Sequence, residues 1–150
     1  MPDRPLVCVV DANVALKLFF GQPASDRADA LFDHLQADTR SRFYVPDFFF
    51  AECASAFANY VRLTDYTPRQ AREDLEALLS LALQVVPSAE LAEEALDVAL
   101  AHRISGYDAF YVALSSRMNA PLITADERLA RALADKPYRV LLLSTFGDTP

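Results

Sequence analysis

Glycine is scarce in this 150-residue chain, which contains only Gly21, Gly106 and Gly147. These three lie too far apart to form a glycine-rich phosphate loop, so nucleotide binding of the P-loop or dinucleotide type is excluded. No serine lies in a nucleophile-elbow motif. Both histidines fall in predicted helices without a Cys or Ser partner at a recognisable spacing, and no zinc-type pairing of Cys and His exists. Any chemistry must therefore rest on carboxylates.

Cysteines and long apolar runs are also few. Cys8 and Cys53 lie inside apolar segments, where we expect small buried side chains rather than a disulfide or a metal pair. No window reaches the roughly 18 uninterrupted apolar residues of a membrane span. The N-terminal apolar run at 6–10 is short and stops at Asp11, unlike a signal peptide. We expect a cytoplasmic protein with no membrane partner.

The length and the 53% hydrophobic content predict a single domain, residues 1–150, with one core. The net charge is −7, which counts against a protein that coats nucleic acid. It does not exclude a nucleic-acid enzyme, because a metal ion offsets the charge of acidic residues gathered around it. Arginine, the better bidentate phosphate binder, supplies 12 of the 14 basic residues.

Strands and helices alternate along the chain. Apolar segments rich in β-branched residues predict strands at 6–10, 43–45, 84–86, 121–124 and 139–143. Helices are predicted between them; Thr67 to Gln70 forms a capping box, and Ser88 is the expected cap of a later helix. Because the strands are apolar on both faces, the pattern favours a parallel sheet covered by helices on both sides, an α/β fold.

Four of the 21 acidic residues stand apart from the solvated charges on helix faces. Asp11 directly follows the first strand, and Asp126 follows the fourth. Glu52 lies among apolar and small residues of one helix, and Asp108 opens another. Each has an ordinary alternative: the three aspartates could cap helices, and Glu52 could occupy an exposed stripe.

Together the four predict a metal site. A doubly wound sheet brings the ends of its strands and the starts of its helices to one edge. Carboxylates gathered there would repel each other and have raised pKa values unless cations held them. Oxygen ligands without His or Cys favour Mg²⁺ or Mn²⁺.

At these segments the chain resembles the PIN domain family, and within it the VapC-type toxin ribonucleases. Asp11 with Asn13 matches the Asp-x-Asn pattern that ends the first strand, and Glu52 matches an acid on the third helix. The segment 108–114 resembles Asp-Ala-x-Tyr-Val-Ala-Leu, and 122–126 resembles Leu-Ile-Thr-x-Asp. The likeness spans nearly the whole chain, and the order and spacing of the motifs make it specific.

The resemblance implies a five-stranded parallel sheet in a three-layer α/β/α sandwich. It implies a Mg²⁺- or Mn²⁺-dependent endoribonuclease, frequent dimers, and a cognate antitoxin that blocks the site. Asp11 and Asp108 are the expected direct metal ligands, and Glu52 and Asp126 would bind directly or through water. Two further residues, Asn13 and Thr124, would orient these ligands.

The chain departs from the family at Ser55, where members often carry Asn; serine can still hydrogen-bond, so we expect only the fine positioning of Glu52 to differ. Glu127, next to Asp126, is a possible additional ligand. The nearest enzyme alternative is a phosphatase with Asp11 as nucleophile, but Asn13 stands where such enzymes need a second acid. A receiver domain is disfavoured because Pro87 follows the third strand. The non-enzyme alternative is a catalytically silent PIN-like module that binds RNA or a protein partner.

A homodimer is also predicted from consecutive phenylalanines. Phe48, Phe49 and Phe50 fan across roughly 200° of a helix surface, which one core cannot cover while Glu52 reaches an open site. The apolar surface continues along this helix and onto the following one, through Phe57, Tyr60, Val61, Leu75, Leu78, Leu79 and Leu81. We therefore expect an exposed patch that a second copy of the chain covers.

Overall fold

The computed structural model describes residues 4–148. Its sheet has five strands: β1 (Val7–Val10), β2 (Arg42–Pro46), β3 (Leu83–Val86), β4 (Leu122–Thr124) and β5 (Val140–Leu142). All four neighbouring pairs are parallel, and the strands lie in the order β3-β2-β1-β4-β5. The predicted five-stranded parallel sheet is confirmed.

The helices follow the strands in chain order: α1 (Ala12–Ala15), α2 (Ser25–Ala37), α3 (Phe49–Leu63), α4 (Pro68–Leu79), α5 (Ser88–His102), α6 (Gly106–Met118) and α7 (Glu127–Ala132). Short 3-10 turns occupy Leu16–Leu18 and Leu143–Thr145.

Two hydrophobic cores lie on opposite faces of the sheet. In β1 the side chains alternate, so that Cys8 and Val10 enter one core with α1 to α4. Val9 enters the other core with α5, α6 and α7. The predicted α/β/α sandwich is confirmed, and its apolar central strand has no polar face because both faces are covered.

The strand order reverses between β1 and β4. From β1 the chain moves outward through β2 to β3, and it then returns to the other side of β1 for β4 and β5. Open α/β sheets bind ligands at such a switch point, outside the carboxyl ends of the strands. Asp11 directly follows β1, and Asp126 follows β4 by two residues, so the fold brings both to this crevice.

Local start signals were right for one helix and wrong for another. Thr67 accepts a hydrogen bond from the Gln70 backbone N–H, and the Gln70 side chain accepts one from the Thr67 backbone, which is the predicted capping box. Ser88 does not cap α5, because Pro87 takes the flanking position and Ser88 is already the first helical residue.

The three consecutive phenylalanines do not form the exposed patch that was expected, because they divide between the two cores. Phe49 is fully buried in the core of α1 to α4, whereas Phe48 packs against the rings of Phe110 and Tyr111 in the other core. Phe50 is half-buried at the edge of the first core. Because α3 begins between the two cores, the two cores together accommodate three phenylalanines that one core could not.

The cysteines and the longest helices bear on what the composition predicted. Cys8 and Cys53 are both buried and unpaired, as predicted. Within residues 4–148, no helix combines the length and apolar character that a membrane crossing requires.

Candidate active site

Asp11 and Thr124 connect the ends of the two central strands. The Asp11 side chain is 6% exposed, and its Oδ2 accepts a hydrogen bond from the Thr124 hydroxyl at 3.0 Å. Its Oδ1 accepts one from the Asn13 backbone N–H at 3.4 Å, so Asp11 also caps α1. The cap alternative is therefore correct for Asp11, but a buried carboxylate at a switch point is unusual for a cap alone.

Asn13 and Thr124 hold the two strand ends together. The Asn13 side-chain amide donates to the Thr124 hydroxyl oxygen at 3.3 Å, and its carbonyl oxygen accepts from the Ala125 backbone N–H at 3.0 Å. The Thr124 oxygen also accepts from the Asp126 backbone N–H at 3.1 Å. Both residues thus contact the segments that carry Asp11 and Asp126.

Glu52 reaches the crevice from α3. Its carboxylate is half-buried, and its Oε1 accepts a hydrogen bond from the Tyr111 hydroxyl at 2.7 Å. The exposed-stripe alternative is therefore wrong for Glu52. Ser55, which replaces the Asn that family members often carry, is exposed. The Tyr111 hydroxyl of α6 supplies the hydrogen bond to Glu52 instead.

Sequence reasoning missed Tyr111 as a site residue, although the residue is 1% exposed and lies beside Glu52. A signal was present, because Tyr111 follows Asp108 by three positions in a helix, a spacing that places both on one face. The sequence could not show that the Tyr111 hydroxyl bonds to Glu52, because Glu52 lies on another helix.

Asp108 and Asp126 are both half-buried and line one pocket. Ser105 caps α6 by accepting from the Asp108 backbone N–H at 3.2 Å, so α6 begins two residues earlier than predicted and Asp108 is not its cap. Asp126 does cap α7: its Oδ1 accepts from the backbone N–H groups of Arg128 and Leu129, at 2.9 and 3.1 Å.

Burial and mutual repulsion shape the electrostatics. Burial raises the pKa of Asp11 to about 7, hydrogen bonds from Thr124 and Asn13 oppose this, and the charges of Glu52 and Asp108 raise the pKa further. Burial also raises the pKa of Glu52, to which the charge of Asp108 adds while the Tyr111 hydroxyl opposes it.

The same effects act on Asp108. Burial raises the pKa of this carboxyl, the Ser105 hydroxyl opposes the rise, and the charge of Asp126 adds to it. A chain of repulsions therefore links the four acids, from Asp11 to Glu52 and Asp108 and from Asp108 to Asp126.

The donor chemistry of these residues fits a hard divalent cation. Within residues 4–148, none of the four carboxylates forms an ion pair with Lys, Arg or His. Buried carboxylates without a cationic side chain are stabilised by a bound cation, and oxygen donors alone favour Mg²⁺ or Mn²⁺. In the same described range, no three His, Cys, Asp or Glu side chains are grouped so that they could already hold one ion between them. Binding would therefore require the acidic side chains to turn towards the ion.

Glu127 lies outside this arrangement. Its side chain is exposed, and its Oε2 lies 3.9 Å from the Arg131 guanidinium one turn along α7. Nothing in this geometry supports Glu127 as an additional ligand.

Comparison with known proteins gives one consistent family. The model of the PIN domain matches residues 8–134. Ribonuclease VapC1 from Mycobacterium tuberculosis is 35% identical over 126 residues, which cover 83% of this chain and 90% of that protein.

Two solved structures share the fold. VapBC2 from Rickettsia felis, bound to a DNA fragment from its promoter, has a TM-score of 0.68 at 13% identity, and the match covers 91% of this chain and 98% of that one. A toxin-antitoxin complex from Klebsiella pneumoniae has a TM-score of 0.62 at 16% identity, covering 91% and 97%.

Proposed function

The chain belongs to the PIN domain family, and from this we propose that it is a VapC-type ribonuclease that hydrolyses RNA phosphodiester bonds with Mg²⁺ or Mn²⁺. The observation that carries the proposal is the set of four carboxylates at the switch point of the sheet, Asp11, Glu52, Asp108 and Asp126, each of which is repelled by at least one of the others. The ribonuclease VapC1 is similar over most of its length, which supports this activity. We propose the cytoplasm as its place of action.

In this proposal, Asp11 and Asp108 bind the cation directly, and Glu52 and Asp126 bind it directly or through water. A cation held by these residues would supply charge neutralisation at the phosphate and activation of a water. Asp11 is held for this role by the Thr124 hydroxyl, and Glu52 by the Tyr111 hydroxyl. These hydrogen bonds restrict the orientation of each carboxylate at the crevice.

A covalent route through a side chain is disfavoured. Burial raises the pKa of the Cys8 and Cys53 thiols to about 12, so neither supplies a thiolate near neutral pH. The phosphatase alternative also lacks support, because the side chain of Asn13 is engaged with Thr124 and Ala125 and cannot act as a general acid. A water nucleophile remains as the simplest choice.

We further propose that the protein is the toxin of a toxin-antitoxin pair. One protein of the same fold was solved as a toxin-antitoxin complex, and we infer that this chain also binds a cognate antitoxin protein that blocks the crevice. The alternative of a catalytically silent module predicts the same partner but no cleavage. The presence of all four acids favours the enzyme.

A homodimer completes the proposal, on the part of the predicted surface that lies beyond the consecutive phenylalanines, along α3 and α4. An apolar groove of about 370 Å³ runs between α3 and α4, and its lining includes Ala54, Ala58, Val61 and Leu75. Nearby, the side chains of Leu63 and Leu79 are 81% and 58% exposed. Apolar surface of this kind is commonly buried between two copies of one chain.

The test of the proposed function is cleavage of labelled RNA by the purified protein. Asp11→Asn keeps the shape of the side chain and removes its charge, so we expect the rate to fall by orders of magnitude, and we expect EDTA to do the same to the wild type. Asp29→Asn, an exposed position on α2, is the matched control and should cleave as the wild type does. Cleavage that survives both EDTA and Asp11→Asn would contradict the proposal.

A further inference from the structure

A pocket of about 310 Å³ opens beside the proposed metal site. It is lined by the two acids Asp108 and Asp126, and also by two arginines, Arg103 and Arg128. The arginines come from different elements, since Arg103 follows α5 and Arg128 lies in the first turn of α7. The fold therefore brings two cationic side chains to the edge of an acidic site.

Among residues 4–148, the side chains of the two arginines have no bonded partner. Several other guanidinium groups pair with acids or backbone carbonyls, as in Arg27 with Asp148 and Arg139 with Asn119. Within the described range 4–148, the side chains of Arg103 and Arg128 form no hydrogen bond and no ion pair with another residue.

The charge of this pocket differs from that of the whole chain. Two arginines and two aspartates give the pocket a formal charge of zero, whereas the chain carries −7. An anion that approaches this pocket is therefore not repelled as it is by the rest of the surface.

The backbone at Arg103 gives an independent reason to look for a role. Arg103 ends α5 with φ 55°, in the left-handed region that favours glycine or asparagine. The next helix, α6, ends in the same conformation with Asn119, which is the ordinary choice. A residue with a long side chain is strained at such a position, which lowers the stability of the fold. A functional role for the Arg103 side chain would explain why arginine is found there.

We propose that Arg103 and Arg128 form a subsite for a backbone phosphate of the RNA, next to the phosphodiester held at the carboxylates. This inference rests on the proposed ribonuclease function and adds to it how the strand is positioned. Two planar guanidinium groups from two elements can share the oxygens of one phosphate, which fixes the direction of the strand through the crevice. Such contacts position RNA without reading its sequence.

The experiment measures RNA binding without cleavage. Binding of a short fluorescein-labelled oligouridylate is followed by fluorescence anisotropy in EDTA, over a series of salt concentrations, for wild type and variants. Arg103→Gly and Arg128→Gln should each weaken binding severalfold. The double variant should reduce the slope of log affinity against log salt by about 0.7, the value for one lost phosphate contact on a single strand.

The matched control is Arg131→Gln, which removes the same charge from the same helix but does not line the pocket. Its salt slope should equal that of the wild type. Arg103→Gly should also raise the melting temperature by about 2–4 °C, because glycine relieves the left-handed backbone. Stability and RNA affinity then move in opposite directions, which a merely destabilised variant cannot reproduce.

Equal salt slopes for the double variant and Arg131→Gln would overturn the subsite, and so would a wild type that fails to bind the oligouridylate at low salt. Because binding is measured without a divalent ion, the result does not depend on catalysis. Failure of the ribonuclease function would appear separately, as a wild type that binds RNA but does not cleave it with Mn²⁺.

Discussion

The Tyr111 hydroxyl donates a 2.7 Å hydrogen bond to Oε1 of Glu52, joining two residues that are 59 positions apart in sequence. Tyr111 belongs to α6 and Glu52 to α3, so this contact links the helices of the two faces at the crevice. The phenol is buried, and it provides a fixed donor for a carboxylate whose neighbours are otherwise apolar or acidic.

Removing this donor should weaken the metal site more than the fold. A hydrogen bond to a charged group contributes about 1.5–3 kcal/mol, and 1.4 kcal/mol is tenfold in affinity. We therefore expect Tyr111→Phe to weaken Mn²⁺ binding by about tenfold in isothermal titration calorimetry. Tyr138→Phe, a half-buried tyrosine beside His102, is the control.

A double-mutant cycle separates positioning from packing. If Tyr111 acts through Glu52, Tyr111→Phe should have little further effect on Mn²⁺ affinity once Glu52→Gln is present. Additive losses from the two substitutions would instead mean that Tyr111 affects the site by another route.

Divalent ions should stabilise the folded chain. A ligand that binds only the folded state adds about 2.7 kcal/mol at 100 times its dissociation constant, so millimolar Mn²⁺ should raise the melting temperature. Asp108→Asn should abolish this response, and Asp97→Asn, an exposed position on α5, should keep it. An identical Mn²⁺ response in wild type and Asp108→Asn would rule out Asp108 as a ligand.

The stability of the ion-free protein should depend on pH through Asp11. Folding raises the pKa of this carboxyl from 3.8 to about 7 because of burial, so the folded state binds its proton more tightly than the unfolded state does. This contribution therefore favours folding at low pH and is lost as the pH rises from about 4 to about 7.

Thermal unfolding in EDTA across this pH range measures the loss of stability. In a second series without EDTA, saturating Mn²⁺ should reduce this loss, because the ion takes the place of the proton on Asp11. Asp11→Asn should lack this part of the pH dependence. A wild type whose pH profile coincides with that of Asp11→Asn would show that folding does not raise the pKa of Asp11.

The proposed dimer can be tested at the groove between α3 and α4. Ala58 is exposed and lines the groove, so Ala58→Glu should place a charge in the interface without disturbing a core. Ala92→Glu makes the same change at an exposed position on α5, on the opposite face of the sheet. In sedimentation equilibrium, the wild type and Ala92→Glu should be dimers and Ala58→Glu a monomer. A wild-type mass near 16.6 kDa would contradict the proposal.

The sequence correctly predicted the features that depend only on residues close together in the chain. The strand β1 followed from a continuous apolar run, and the start of α4 followed from Thr67 and Gln70, which bond to each other over three positions. Asp11 was identified for the same reason, because its position directly after a buried strand can be read from the residues beside it.

Features that depend on distant residues were not predictable in this way. Ser105 and Asp108 are both competent caps, and the choice of Ser105 leaves the Asp108 side chain available to the crevice. The division of Phe48 and Phe49 between two cores could not be read from a helical projection, because it depends on where α3 meets the sheet. Single-sequence patterns do not contain that packing.

The bond between Asp11 and Thr124 closes over 113 positions of sequence, and this has a consequence for when the protein becomes active. A chain emerging from the ribosome exposes Asp11 and Glu52 first, and β4, Thr124 and Asp126 follow only after all of α3 to α6. Until then β1 lacks its neighbour on one side, and the crevice does not exist. A translation product that stops before β4 therefore lacks the complete site, so cleavage by this nuclease can begin only after β4 has been made and has paired with β1.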